Sequence, residues 1–160
     1  GLGVAGMAGL WAIRAGRASM QPPAPQTRFE LLNGQILQTV DWHGQPVVLN
    51  FWATSCVTCV AEMPHWVQLY RDYQARGLRM LALAMQYDSL DHVRSYTRSR
   101  QLPFPVAYDR SGEAARLWGD VQATPTTLLV DRRGHIIQRM VGRADFPHMR
   151  ARIQAELDAS

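Results

Sequence analysis

Lysine is absent from this chain, and all seventeen basic residues are arginine. The arginines occur singly or in pairs such as Arg132–Arg133, never in a block. A nucleic-acid interface needs basic side chains clustered with exposed aromatic ones. The scattered arginines and the modest formal net charge of +4 therefore argue against a nucleic-acid partner.

Cysteine occurs only twice, at Cys56 and Cys59. A structural zinc site needs about four ligands, yet the nearest histidine, His65, lies six residues past Cys59. A c-type haem attachment would need histidine directly after the second cysteine, and Val60 stands there. The sequence therefore predicts neither a metal site nor a bound cofactor. At 160 residues the chain is long enough to bury a core without disulfide staples.

A hydrophobic run long enough to cross a bilayer is also missing. The apolar or small stretch 1–13 is too short to span about 30 Å. Because the sequence starts without methionine, we interpret this stretch as the end of a signal anchor or uncleaved signal peptide, followed by a Pro-rich linker. A buried helix is the weaker alternative, since four of the first nine residues are glycine. Arg14 and Arg17, which follow this stretch, are mild evidence against export, because positive charge prefers the cytoplasmic side of a membrane. The predicted division is an anchor and linker, 1–26, and one domain, 27–160.

The two cysteines lie between two segments of different periodicity. The preceding run, 47–53, is continuously apolar and typical of a buried strand. The following run, 60–75, has apolar residues at helical spacing. At such a turn the first sulfur can cap the helix, where free N–H groups and the helix dipole stabilise a thiolate. The second sulfur, one turn later, can close a disulfide. The spacing predicts a redox-active dithiol.

The rest of the chain alternates between strand and helix patterns. Asn33-Gly34 predicts a hairpin turn between 29–32 and 36–40, and Pro64 predicts a kink in the cysteine helix. Further strands are predicted at 78–85, 104–108, 126–130 and 135–141, and further helices at 88–100, 111–118 and 145–157. This order predicts an α/β fold with a central mixed β-sheet flanked by helices on both faces.

From about residue 27 to 158 the chain resembles the TlpA/ResA-like thiol–disulfide oxidoreductases of the thioredoxin-fold family. The resemblance rests on the run 48–54 leading into Cys56-Val57-Thr58-Cys59, on Glu62-Met63-Pro64, and on the segment 123–127, Ala-Thr-Pro-Thr-Thr. It implies a thioredoxin-like fold with an N-terminal β-hairpin and a TlpA-type helix-strand insertion near 88–108.

The resemblance also implies roles for single residues. Cys56 matches the attacking cysteine and Cys59 the resolving one. Pro125 matches the family's cis-proline facing the cysteines, and Thr124 before it offers backbone groups to a bound substrate strand. Glu62 matches a motif glutamate that could tune the thiols or relay a proton through water; a solvated carboxylate is the alternative interpretation.

Four residues near the dithiol affect its expected chemistry. Ser55 stands where the family usually has tryptophan, so we expect a more open site whose substrate contacts include Ser55. The dipeptide Val57–Thr58 lacks the proline, glutamate or histidine of relatives, so the reduction potential cannot be transferred from them. Asn50 occupies the place of the buried aspartate of cytosolic thioredoxins, and a neutral amide there cannot accept a proton.

The leading functional hypothesis is a reductase of disulfides in exported proteins, with cysteines awaiting haem or copper as one substrate class. We expect it on the outer face of a bacterial inner membrane, held by its N-terminal segment and re-reduced by a membrane electron donor. An oxidant or isomerase is the first alternative. A copper-binding chaperone is the second, with His135 as a loose ligand candidate. A peroxidase is excluded, because Leu49 and Ala53 replace the proline and the threonine or serine of its motif.

Overall fold

The protein is described by a computed structural model that covers residues 21–159. The chain order of its elements is β1 (Arg28–Glu30), β2 (Ile36–Gln38), a 3-10 turn (Thr39–Trp42), β3 (Val47–Trp52), α1 (Val57–Tyr73), a second 3-10 turn (Gln74–Arg76), β4 (Arg79–Ala84), α2 (Leu90–Ser99), β5 (Val106–Tyr108), α3 (Glu113–Leu117), β6 (Thr126–Val130), β7 (Ile136–Val141) and α4 (Phe146–Asp158). The predicted order of strands and helices is confirmed.

Five strands form one mixed sheet in the order β5-β4-β3-β6-β7. Strand β3 pairs in parallel with β4 and antiparallel with β6. The register sets Trp52 beside Ala84, and Phe51 beside Thr126. The segments that follow β3 and β4 and the segment that precedes β6 therefore meet at one end of the sheet, which we call the carboxyl end.

The two faces of β3 contribute to two different hydrophobic clusters. Val48 and Trp52 pack on the face covered by α1, α2 and α4, and Val47, Leu49 and Phe51 pack on the face covered by α3 and the hairpin β1–β2. All six residues of β3 are buried, because helices or hairpin cover both faces. Strand β3 thus holds the following dithiol turn in a rigid position.

The hairpin β1–β2 packs beside the main sheet through local contacts. Leu32 N–H donates to the carbonyl of Val106 (3.0 Å), and Phe29 stacks on Trp42 with ring centroids 5.4 Å apart. Its second strand ends at Gln38, two residues earlier than predicted. Gln38 N–H there donates to the Asp41 carboxylate (2.8 Å), which stabilises a 3-10 turn in place of extended backbone.

The structure also describes the end of the expected Pro-rich linker, which packs on the domain. Ile136 N–H donates to the carbonyl of Pro22 (2.8 Å), and the buried Ala24 donates from its own N–H to Gly134 (2.7 Å). The apolar stretch 1–13 lies outside the described residues. Within residues 21–159, no helix has the length and apolar character needed to cross a membrane. Helix α1 continues through Pro64, and the kink expected there stays a prediction.

Candidate active site

Cys56 is the N-cap residue of α1, as the sequence predicts. Its backbone is extended, with φ −87° and ψ 106°, and its Sγ accepts a hydrogen bond from the N–H of Cys59 at 3.2 Å. Cys56 N–H donates in turn to the carbonyl of Ala53 (3.1 Å). The sulfur therefore occupies the site where a helix start offers free donors and a positive dipole end to an anion.

Cys56 and Cys59 form a disulfide, with 5.2 Å between their Cα atoms. The two sulfurs differ in environment: Cys59 is 2% exposed and lies in the core cluster with Trp52, Met63 and Trp66, whereas Cys56 is only partly buried at the edge of that cluster. A substrate sulfur can therefore approach Cys56 but not Cys59. This asymmetry is what a dithiol with an attacking and a resolving cysteine requires.

Glu62 is buried on the same face of α1 as Cys59, three residues further along the helix. Its Oε1 accepts the backbone N–H of Ala144 at 2.8 Å, while Oε2 is buried with no hydrogen-bond partner among the described residues. Residues three apart on a helix are neighbours on one face. The alternative of a solvated carboxylate is therefore wrong, and Glu62 is a buried acid one helical turn from Cys59.

The segment before β6 carries the predicted cis-proline. The Thr124–Pro125 peptide bond is cis, which confirms that prediction. Pro125 is buried, and its carbonyl accepts the N–H of Gly142 (2.8 Å). Since Phe51 pairs with Thr126, Pro125 lies beside the end of β3, at the carboxyl end of the sheet where the dithiol turn begins. Thr124 is half-buried there.

The site also includes the loop between β4 and α2, for which the sequence predicts only the start of a helix. The buried carboxylate of Asp88 accepts two hydrogen bonds from Thr54, from its N–H at 2.6 Å and its hydroxyl at 2.7 Å. The hydroxyls of Tyr87 and Thr124 are hydrogen-bonded at 2.9 Å. The order of strands in the sequence indicates the position of this loop, because loops that follow adjacent parallel strands meet at one end of the sheet.

The other residues singled out from the sequence have clear positions. Ser55 is exposed in the turn before Cys56, and Asn50 is buried in β3 and donates from Nδ2 to the hydroxyl of Thr127 (2.9 Å). His135 follows β6, whose last residue, Val130, pairs with Val47 at the start of β3. It therefore lies at the opposite end of the sheet from Cys56, which removes it as a shared copper ligand. The described residues contain no group of three or more His, Cys, Asp or Glu side chains suited to a metal ion.

A helix-capping dithiol beside a cis-proline, on a sheet of this topology, defines the class of thiol–disulfide oxidoreductases with a thioredoxin-like fold. Comparison with known proteins agrees. The profile of the Redoxin family matches residues 20–155. The thiol–disulfide oxidoreductase ResA of Bacillus thuringiensis subsp. konkukian is 36% identical over 119 residues, which cover 74% of this chain and 68% of ResA.

Two solved structures extend the comparison to the fold. A protein from Neisseria meningitidis described as a thioredoxin superposes with a TM-score of 0.81 and 31% identity, covering 87% of this chain and 93% of the other. A protein from Chlorobium tepidum described as thiol:disulfide interchange protein DsbE gives a TM-score of 0.76 and 30% identity, with coverage of 86% and 96%. The chain belongs to the Redoxin family, and its resemblance to the ResA-like thiol–disulfide oxidoreductases is confirmed.

Proposed function

We propose that this oxidoreductase works as a reductase, in which the Cys56–Cys59 dithiol passes two electrons to disulfides of exported proteins. The observation that carries the direction is the charge around the sulfurs. The dipeptide Val57–Thr58 has no cation, whereas two buried carboxylates, Glu62 and Asp88, lie on segments that adjoin the dithiol. Nearby anions make a thiolate less stable. A dithiol with a weakly stabilised reduced form gives up its electrons more readily.

The reaction consists of two thiol–disulfide exchanges. The Cys56 thiolate attacks one sulfur of the substrate disulfide, an S–S bond forms between Cys56 and the substrate, and the other substrate sulfur leaves as a thiolate that takes up a proton. The Cys59 thiolate then attacks Cys56 Sγ. The second substrate sulfur leaves, and the Cys56–Cys59 disulfide forms. Two electrons have then moved from the dithiol to the substrate.

Glu62 fits the role of proton acceptor for Cys59 in the second exchange. Cys59 is buried, so its proton has no direct path to bulk water. Glu62 lies one helical turn from Cys59; its Oε2 has no hydrogen-bond partner among the described residues, and Ala144 N–H fixes the other carboxylate oxygen. A carboxylate held in this way can take the proton directly or through one water. Glu62 is therefore needed only in the second exchange, in which Cys59 becomes a thiolate.

For the substrate, we propose an extended segment that binds between Ser55 and Thr124. Ser55 is exposed, and Thr124 is half-buried directly before the cis-proline. The backbone of such a residue can pair with an extended peptide as a strand edge does. Pro125 itself has no N–H, so it leaves the approach to the sulfurs free of a competing donor.

The proposal includes a location and an electron source. We propose that the N-terminal segment holds the domain at the outer face of a bacterial inner membrane, where a membrane protein re-reduces the dithiol. A free dithiol in an oxidising compartment persists only if it is continually re-reduced. Recovery of the protein with membranes after cell fractionation supports this location, and recovery in the soluble cytoplasmic fraction contradicts it.

A paired exchange experiment tests the direction. The reduced protein is mixed with insulin, and the oxidised protein with reduced, unfolded ribonuclease; thiols are quenched with acid, alkylated and counted. We expect the first mixture to transfer electrons faster than the second mixture transfers its disulfide. A variant lacking both cysteines is the control for background exchange. Faster transfer in the ribonuclease mixture would identify an oxidant.

A further inference from the structure

Tyr87 is an exposed aromatic residue at the carboxyl end of the sheet, and the fold and dithiol chemistry assign it no role. It is 57% exposed, in the loop between β4 and α2. Its hydroxyl is hydrogen-bonded to the hydroxyl of Thr124 at 2.9 Å. Thr124 immediately precedes the cis-proline. The ring therefore stands beside the residue at which a substrate strand is proposed to bind.

The loop that carries Tyr87 is held on both sides. Before it, Met85 N–H donates to the carbonyl of Trp52 at 2.9 Å. After it, the Asp88 carboxylate accepts both bonds from Thr54. Tyr108 adds a third restraint, because its hydroxyl lies within hydrogen-bond distance of the carbonyls of Gln86 (2.9 Å) and Asp88 (3.0 Å). The backbone on either side of Tyr87 is thus anchored.

Anchoring matters because binding costs free energy for each side chain that must be ordered. A tyrosine on a fixed loop, with its hydroxyl already bonded, loses little freedom when a partner covers its ring. Tyrosine is also among the residue types that dominate the affinity of interfaces. A large ring held open to solvent in this way is suited to contact with a partner.

The Tyr87 loop also contacts both the dithiol turn and the segment that carries the cis-proline. Asp88 contacts Thr54, two residues before the attacking cysteine, and Tyr87 contacts Thr124, one residue before Pro125. A polypeptide whose disulfide reaches Cys56 and whose backbone lies along Thr124 is therefore brought beside the Tyr87 ring.

We propose that Tyr87 is a specificity-determining residue of this oxidoreductase: its ring binds the polypeptide that flanks the substrate disulfide, and so favours proteins over small disulfides. This inference rests on the proposed function. It goes further in naming a contact that the chemistry of the sulfurs does not need. Removal of the ring should affect only substrates that have a polypeptide chain to bind.

The test compares the rates at which two disulfides oxidise the reduced protein, insulin as the polypeptide and hydroxyethyl disulfide as the small molecule. For Tyr87→Ala we expect the rate constant with insulin to fall about tenfold, the usual effect of losing an interface aromatic. The rate with hydroxyethyl disulfide should stay within about twofold, because the sulfurs are unchanged. Tyr87→Phe, which keeps the ring and loses the bond to Thr124, should retain most of the insulin rate.

Val40→Ala is the control, because Val40 is 60% exposed before the start of β3, away from the site; it should alter neither rate. Equal insulin rates for wild type and Tyr87→Ala overturn the inference, and so do equal losses with both disulfides. A wild-type protein that reacts with insulin no faster than with hydroxyethyl disulfide also overturns it, while leaving the proposed function in place. Failure of the wild type with both disulfides overturns the proposed function itself.

Discussion

Cys56 and Cys59 carry the same functional group in different surroundings. Cys56 caps α1 at the partly exposed edge of the core, whereas Cys59 is one turn inside the helix and 2% exposed. The free N–H groups and dipole at the helix start favour a thiolate at Cys56 and reach Cys59 less. We therefore predict that Cys56 makes the first attack.

Replacement of one cysteine at a time tests this order. Cys59→Ala should accumulate a mixed disulfide between Cys56 and a protein substrate, because nothing remains to resolve it. Cys56→Ala should accumulate none, since Cys59 is too buried to attack. Mass spectrometry of alkylated, non-reduced samples detects the adduct. A mixed disulfide formed through Cys59 in Cys56→Ala would reverse the assignment.

The proposed proton transfer at Glu62 predicts a selective kinetic effect. Glu62→Gln keeps an oxygen for the Ala144 N–H but has no carboxylate to take the Cys59 proton. With an aromatic disulfide that releases a coloured thiolate, the first release should keep its rate. The second release, which follows attack by Cys59, should slow by on the order of a hundredfold.

The matched control for this substitution is Glu113→Gln, an exposed glutamate in the first turn of α3. It should leave both releases unchanged. As the pH rises, Cys59 loses its proton without help, and the second releases of wild type and Glu62→Gln should converge. If Glu62→Gln slows the first release, or slows neither release, the proton-acceptor role of Glu62 is contradicted.

At the scale of elements, strand β3 and helix α1 form the dithiol turn, and contacts from other elements fix it. The hydrogen bonds that do so join distant parts of the chain: Asp88 and Thr54 are 34 residues apart, Tyr87 and Thr124 are 37 apart, and Glu62 and Ala144 are 82 apart. The site is therefore assembled from four segments that only the sheet brings together.

This distance in sequence explains what could be predicted. The strand β3, the helix α1 and the cap by Cys56 follow from local patterns, namely an apolar run, helical spacing and the Cys-x-x-Cys turn. The cis bond before Pro125 followed from the family resemblance and is confirmed. The topology places the loop of Tyr87 and Asp88 at the carboxyl end of the sheet, but the hydrogen-bond partners of these two residues could not be predicted. Nothing in the local periodicity around residue 88 indicates which distant N–H or hydroxyl they will meet.

Asp88 predicts a measurable stability effect between elements. Asp88→Ala removes the only acceptor observed for the N–H of Thr54 among the described residues, and it also frees the Thr54 hydroxyl. A partly buried donor left without its partner costs about 1–3 kcal/mol, so the free energy of unfolding in urea should fall by about 2 kcal/mol. Asp91→Ala is the control: Asp91 is exposed, and its side chain forms a 3.9 Å ion pair with Arg94 on the surface. Equal effects of the two substitutions would contradict the structural role of Asp88.

Helix α4 is joined to α1 by an ion pair whose contribution depends on pH. Hydrogen bonds from Arg150 and then Gln68 hold the pKa of Asp72 below its usual value. Because the folded-state pKa is the lower one, Asp72 stabilises the fold above the unfolded pKa of about 3.9 and loses that effect as the pH falls through the folded pKa.

Asp72→Asn should therefore be slightly less stable than wild type in urea at neutral pH. The difference should shrink as the pH falls below about 3.9 and vanish at still lower pH. About 1 M salt should also reduce it at neutral pH, because both groups are near the surface. If the difference in free energy of unfolding between wild type and Asp72→Asn grows as the pH falls, the predicted role of the Asp72 carboxylate is contradicted.

At the scale of the whole molecule, the fold separates the dithiol from Pro22 in the N-terminal segment. Cys56 lies at the carboxyl end of the sheet. Pro22 is bonded to Ile136 at the first residue of β7, near the opposite end. The proposed anchor precedes Pro22 in the chain, so the proposed tether and the dithiol are assigned to opposite ends of the sheet.

The reduction potential of Cys56–Cys59 tests the proposed direction most directly. The protein is equilibrated with a series of glutathione and dithiothreitol redox buffers, quenched with acid, and its reduced fraction measured by alkylation and mass spectrometry. Because two buried carboxylates lie on segments that adjoin the dithiol, and its dipeptide has no cation, we expect a potential near the value of about −270 mV for thioredoxin. A potential near the value of about −120 mV for DsbA would show that the thiolate is strongly stabilised and that the protein is an oxidant.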